Sequence, residues 1–261
     1  MLTVLSPAKK LDWEGPIPNV AASTPVLEKD IGILAKQARK LSANKLKSLM
    51  EISDNLAQLN HQRFQDFSMP FTEANSRPAV FAFAGDTYVG LDASQLDEQD
   101  LQFAQGQLRI LSGLYGLLRP MDLLQPYRLE MGTKMKNSRG KNLYEFWGSR
   151  ITAQLIAALG EHDDKTLVNL ASAEYFKSVQ PKSLPGKVVT PVFLDTKGGK
   201  SRSLFLFVKR ARGMMARFAI QRRIDRPEGL KDFTEGGYRF LSGQSDETRW
   251  VFERPQPPPV R

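Results

Sequence analysis

Apolar residues are distributed along this chain in short, separate blocks whose spacing changes from two to three or four residues and back. Leu2–Leu5 is apolar but for Thr3 and closes at Ser6-Pro7, as a strand buried on both faces does. A Pro/Gly/Ser loop over 14–24 leads to Thr24 and Pro25, an N-cap followed by proline at the first helical position; that helix is predicted to reach Leu41. Ser42 and Ser53 predict caps for two more helices, one through Met50 and one placing Leu56, Leu59, Phe64 and Phe67 on a common face. Ala79–Ala84 reads as a strand, and Gly85-Asp86 turns into Thr87–Leu91. The acidic Asp97–Asp100 opens a helix expected to extend to Ile110. Tyr127–Met135 reads as extended, Asn142–Leu159 as an amphipathic helix ended by Gly160, Leu167–Leu170 as a strand, and Ser172 as the cap of a helix through Val179. Val188–Leu194 and Ser203–Val208 predict a hairpin around Lys197-Gly198-Gly199-Lys200, followed by a basic helix to about Ile224. Tyr238–Leu241 and Arg249–Phe252 predict a last hairpin. Interleaved helices and strands without a repeat or linker predict one compact mixed α/β (α+β) domain over 1–254. Its expected form is a mixed sheet flanked by helices, with a Pro-rich tail, 255–261, expected to lack order.

One run resists this reading. Residues 111–120, LSGLYGLLRP, place Gly113 and Gly116 inside an apolar stretch, where each glycine costs a helix about 1 kcal/mol relative to alanine. A helix-hairpin-helix element would account for them: a helix ending near Leu111, a glycine turn, and a short helix from Pro120 to Leu124, with Arg109 and Arg119 flanking it. Backbone N–H groups in such a turn contact phosphates without reading bases. The glycines are three apart, whereas such turns usually place them two apart. A competing location is Leu41–Leu49, with Lys45 and Lys47 near its turn, and the competing role for the glycines is close packing against a neighbour.

Charge sharpens the functional reading. With 41% hydrophobic and 25% charged residues the chain is expected to fold, and without cysteine it has no disulfide, thiolate metal site or cysteine nucleophile. The start lacks the pattern of a signal peptide and no apolar run spans a bilayer, so a cytoplasmic protein without membrane contact is expected. The net charge is +9, and Lys197–Arg226 alone carries ten basic residues against Asp225. That concentration favours a polyanion. On a helical wheel, Ala211, Met214, Met215 and Phe218 form one apolar face and Ile220 with Ile224 a second. Lys209, Arg212 and Arg223 lie along one edge between them, Arg210 and Arg217 along the other; Arg222 falls beside the main apolar face. Arginine can grip phosphates in bidentate fashion.

Chemistry-bearing motifs are few. The sequence lacks a Gly-x-Ser-x-Gly elbow, a Walker loop and a Gly-x-Gly-x-x-Gly fingerprint. His61 sits in a helix, and His162, in Glu161-His162-Asp163-Asp164, reads as part of a solvated turn, so neither a metal site nor a cofactor is expected. Ser6, Lys9 and Lys10 follow a strand directly and suit a phosphate. The candidate nucleic-acid set is therefore Lys9, Lys10, Arg109, Gly113, Gly116, Arg119, Lys209, Arg210, Arg212 and Arg217. An alternative, an enzyme pocket for a phosphorylated or nucleotide substrate, would use Ser6, Asp86, Tyr88, Arg128, Glu130, Glu174 and Lys177; Arg128 and Glu130 alternate along one extended segment and share a face.

The segments SPAKKLD, ISDNLA, GDTYVGL, LSGLYGLLRPMDLLQPYRLEMG, NLYEFWG, NLASAEYFKSV, PVFLD and KRARGMMARF, in this order, resemble the YaaA peroxide-stress protein family over residues 1 to about 240. The resemblance implies a cytoplasmic bacterial protein of the hydrogen-peroxide response, linked to limiting free iron and oxidative DNA damage. It further implies a mixed α/β domain with a basic cleft and a helix-hairpin-helix-like element that binds DNA, duplex or distorted. It carries no established reaction, catalytic residues or oligomeric state. The absence of a metal-ligand cluster makes any effect on iron indirect, and the absence of cysteine argues against thiol sensing of peroxide.

Overall fold

A computed structural model describes residues 1–257. Its centre is an eight-stranded sheet. Five strands run parallel: β1 (Leu2–Leu5), β2 (Leu108–Ser112), β4 (Leu167–Leu170), β5 (Val188–Lys197) and β8 (Arg249–Pro255). Three shorter ones are antiparallel to their neighbours: β3 (Gly116–Leu118) beside β2, β6 (Lys200–Arg202) beside β5, and β7 (Arg239–Phe240) beside β8. The order across the sheet is β7-β8-β5-β4-β1-β2-β3, with β6 attached to β5. β1 and β4 are buried at every position, as the apolar run without alternation requires.

The chain leaves β1 to build β2 and β3 on one side, then returns to build β4, β5 and β8 on the other. The strand order thus reverses at β1. In open α/β sheets the loops that follow such a point diverge and leave a crevice at the carboxyl ends of the strands.

Helices α1 (Glu28–Arg39), α2 (Ala43–Met50) and α3 (Asp54–Asp66) precede β2; Ser42 and Ser53 cap the latter two through their side chains, as predicted. α4 (Asp86–Leu91) and α5 (Glu98–Gln107) follow, the second opened by a reciprocal capping box between Asp97 and Asp100. α6 (Leu143–Trp147), α7 (Arg150–Gly160) and α8 (Ala173–Phe176) bracket β4, and α9 (Phe205–Gln221) is the long basic helix.

Several expectations need correction. The run 111–120 is a β-hairpin: β2 and β3 pair across Ser112 and Gly116, and Pro120–Leu124 ends in a two-residue strand rather than a helix. The helix-hairpin-helix reading of this stretch therefore falls. Gly116 adopts φ +68° with the Trp147 ring 2.8 Å from where a Cβ would sit, and the Leu129 backbone occupies the Cβ position of Gly113. Both glycines are there for close packing. The Asp97 helix stops at Gln107 because Leu108–Ile110 belongs to the sheet, and 79–84 is a helical turn followed by Phe83–Ala84 paired with Lys10–Leu11. The helix expected over 142–159 breaks at Gly148, which has φ +50°. The hairpin at Gly198-Gly199 forms with β6 as its short second strand, and Ser203–Val208 instead starts α9. Of the Pro-rich tail, Pro255 ends β8 and the Gln256 N–H donates to Thr196 O, while 258–261 lie outside the described residues.

α9 lies against α4, and each helix presents a glycine to the other. The Gly90 Cβ position is occupied by the Arg210 carbonyl and the Gly213 position by the Thr87 carbonyl. Ala211, Gly213, Met215, Ala216 and Phe218–Ile220 are buried, so α9 packs on more than one side, in keeping with its two apolar faces. No helix among the described residues is long and apolar enough to cross a membrane.

Candidate functional site

The carboxyl ends of β1 and β4 bring several sequence-predicted side chains together. Ser6 follows β1; its Oγ accepts the Ser172 N–H at 2.8 Å and lies 3.4 Å from Ser172 Oγ. Tyr88, on α4, donates its hydroxyl to the Ser6 carbonyl at 3.1 Å. Glu130 is held between Lys9 at 2.6 Å and Arg128 at 3.1 Å. The Gly132 N–H donates to Glu174 Oε1 at 2.9 Å, and the Tyr144 hydroxyl donates to the Glu174 carbonyl. Lys177 lies outermost, with Nζ 5.0 Å from the centre of the Tyr144 ring, and Asp86 opens α4 without an ion-pair partner among the described residues. The Arg128 Nε is buried without a hydrogen-bond partner.

Sequence reasoning missed the buried layer beneath these groups. Ser112 and Tyr127 share a 2.6 Å hydrogen bond, and Tyr88, Tyr127 and Tyr175 are close enough to influence one another's ionisation. Burial, first, pushes all three phenols above their ordinary value, so they act as neutral donors and acceptors. Tyr88 is among the sequence candidates; Tyr127 and Tyr175 stand beside the polar candidates Arg128 and Glu174 in sequence, but nothing local shows that their hydroxyls turn inward.

The nucleic-acid candidates separate into distinct places. Lys9 and Lys10 follow the carboxyl end of β1. Arg109 and Arg119 lie towards the opposite end of the sheet, since Arg109 is the second residue of β2 and Arg119 follows its antiparallel neighbour. Gly113 and Gly116 are buried. Arg217 pairs with Glu235 at 3.0 Å and with Asp92 at 3.6 Å. Lys209 sits over the Phe205 ring at 4.0 Å, and Arg210 and Arg212 each hold a buried Nε without a partner. Burial pulls the Arg212 guanidinium below its ordinary value.

The basic window is concentrated in space at its first half. Lys197, Lys200 and Arg202 are exposed on the β5–β6 hairpin, and Phe205 and Leu206 at the start of α9 are 78% and 48% exposed. None of these cations, nor Lys209, Arg210 or Arg212, has a carboxylate partner among the described residues, whereas Arg217 and Arg223 further along do. A buried ion pair anchors the region. Arg254 Nε meets Asp195 Oδ1 at 2.6 Å, and its guanidinium lies over Tyr238 at 4.4 Å and Phe207 at 5.1 Å.

Fold and sites together define a single-domain α/β protein whose parallel-centred sheet carries a cluster of polar groups at the carboxyl ends of its central strands and a basic hairpin leading into a helix that opens with an exposed phenylalanine. The chain belongs to the family described as Peroxide stress protein YaaA, which matches residues 1–244. It is 52% identical over 254 residues to a UPF0246 protein of Aliivibrio fischeri strain MJ11, covering 97% of this chain and 98% of that one. It is 51% identical over 256 residues to one of Saccharophagus degradans, covering 98% and 100%, and 54% identical over 255 residues to one of Ralstonia nicotianae, covering 97% and 99%.

Proposed function

We propose that this peroxide-stress protein is a cytoplasmic DNA-binding protein that grips phosphates without reading sequence, in a response that limits iron-dependent oxidative damage. The observation that carries this reading is the tip formed by the β5–β6 hairpin and the start of α9. An exposed phenylalanine and leucine follow in the chain the hairpin that carries Lys197, Lys200 and Arg202, with Lys209 over the phenylalanine ring, and none of these cations is neutralised by a carboxylate among the described residues. Exposed cations of this kind supply phosphate contacts, and an exposed aromatic ring supplies a stacking platform for an unpaired base. Arg210 and Arg212 extend the basic field along α9. Arg217 contributes less, since two carboxylates face it.

The test is a salt series on a fluorescent duplex and on the same strand unpaired. Binding should weaken linearly in log–log form, and Lys197→Glu with Lys200→Glu should reduce the slope by about 2, near 0.9 per phosphate lost. Phe205→Ala should weaken the unpaired strand more than the duplex. A flat salt dependence, or an unchanged slope in the double variant, overturns the reading.

A second reading, an enzyme acting on a phosphorylated or nucleotide substrate, is favoured by one observation: Ser6, Tyr88, Lys9, Arg128, Glu130 and Glu174 gather where the strand order reverses. Calorimetric titration with nucleoside monophosphates separates the two. Saturable binding abolished by Arg128→Gln, in a protein without DNA affinity, would replace the first reading with this one.

A further inference from the structure

A cavity of about 190 Å³ lies between the β2–β3 edge of the sheet and α7, lined by Arg109, Arg119, Leu118, Gln154, Ala157 and Ala158 among others. Its two arginines are fixed in different ways. The Arg109 Nη1 donates to the carbonyls of Gln105 at 2.9 Å and Leu108 at 2.8 Å, so it caps the carboxyl end of α5. Arg119 donates through Nε to Asp122 Oδ1 at 3.0 Å and through Nη2 to the Thr24 carbonyl at 3.0 Å. Asp122 is fully buried, and Ser23 Oγ and the Arg119 backbone N–H also donate to it. Arg109 makes no hydrogen bond to it.

Two guanidinium groups thus stand near a single carboxylate that is bonded to only one of them, which leaves a net charge of one at the cavity wall. Burial, and then the Arg119 charge, push the Arg109 guanidinium down to about 10. The Nε and Nη2 hydrogens of Arg109 make no bond to a described residue, and Arg109 lines the cavity. The rest of the wall is aliphatic, apart from the Gln154 amide. One fork-shaped cation, one amide and a small apolar wall describe a particular ligand chemistry.

We infer that this cavity binds a small aliphatic monocarboxylate, its carboxylate paired to the Arg109 fork and its carbon chain against Leu118, Ala157 and Ala158. A single negative charge matches the single charge left over. A planar carboxylate accepts two parallel N–H donors from guanidinium, which a monatomic anion does not. The site lies at the opposite end of the sheet from the crevice below Ser6, and it does not depend on the nucleic-acid reading.

The probes are acetate, propionate and butyrate at constant ionic strength, followed by the arginine Nε–H resonances of the ¹⁵N-labelled protein. The Arg109 signal should shift saturably, and affinity should rise by about fourfold per methylene until the wall is covered. Arg109→Gln should weaken butyrate at least about tenfold. Because that variant also removes the α5 cap, Ala157→Phe is the second arm. Ala157 is exposed on α7 and lines the cavity, so the variant narrows it while leaving both arginines and the α5 cap in the sequence; it should keep the far-UV spectrum and lose butyrate binding. Three results overturn the inference: shifts that follow ionic strength alone, equal affinity for acetate and butyrate, or butyrate binding unchanged in Ala157→Phe. Displacement of butyrate by a DNA duplex at one equivalent also overturns it and returns the two arginines to the nucleic-acid surface.

Discussion

At the scale of single residues, several arginines of this molecule are committed to holding it together. Arg119, Arg217, Arg223 and Arg254 all face carboxylates, and Lys165 closes the end of α7 by donating to the Leu159 and Gly160 carbonyls at 3.0 Å. These pairings leave the net charge of +9 unchanged but decide which cations are free to meet a partner. His162 gives a pH-dependent test of the same packing. Burial, then the Met1 ammonium and Arg109, hold its imidazole below the ordinary value of about 6.5. The folded chain thus binds a proton less readily than the unfolded chain. This contribution to stability is complete above about pH 6.5 and is lost as pH falls towards the lowered folded value. The urea midpoint should fall from about pH 7.5 to about pH 5.5, and His162→Gln should flatten that part of the curve. An equal decline in the variant would assign the effect elsewhere.

At the scale of elements, the crossing of α4 and α9 makes the sharpest prediction. Gly213→Ala places a methyl group on the Thr87 carbonyl and should cost about 1–3 kcal/mol in chemical denaturation. Gly106→Ala, within α5 and with open space around it, should instead stabilise by about 0.5–1 kcal/mol. Opposite signs for the same substitution are the check. The same contrast explains what could be read in advance. Leu167–Leu170, the two serine caps, the Asp97 helix start and the last hairpin were legible because each depends on local patterning or capping chemistry. Residues 108–118 were not. The apolar density around Ile110 belongs to a strand buried along nearly its whole length, which lacks the alternation that would distinguish it from helix. Nor does the sequence reveal that Gly113 meets the backbone of Leu129 or Gly116 the ring of Trp147, since both are contacts between segments. The candidate crevice was half legible: the polar residues of the motifs were visible, and the tyrosine hydroxyls beneath them were not.

At the scale of the whole molecule, the basic residues that the sequence grouped as one nucleic-acid set lie at different ends of the sheet. Lys9, Glu130 and Ser172 collect at the carboxyl ends of the strands, and the β5–β6 hairpin extends from β5 on that side. Arg109 and Arg119 belong to the other end. The reversal of strand order at β1 that separates these places also governs how the chain can assemble. β1 pairs only with β2 and β4, so Leu2 must wait for Leu167 before its second edge is covered. At about 5–20 residues per second, a ribosome takes roughly 8–30 s to cover that interval. Throughout it, a short apolar segment has left the tunnel with at least one edge unpaired. The central strand of the finished sheet is thus the first of its strands to be made and the one that waits longest for its second neighbour, which makes the newborn chain a natural client for whatever shields hydrophobic segments at the tunnel exit.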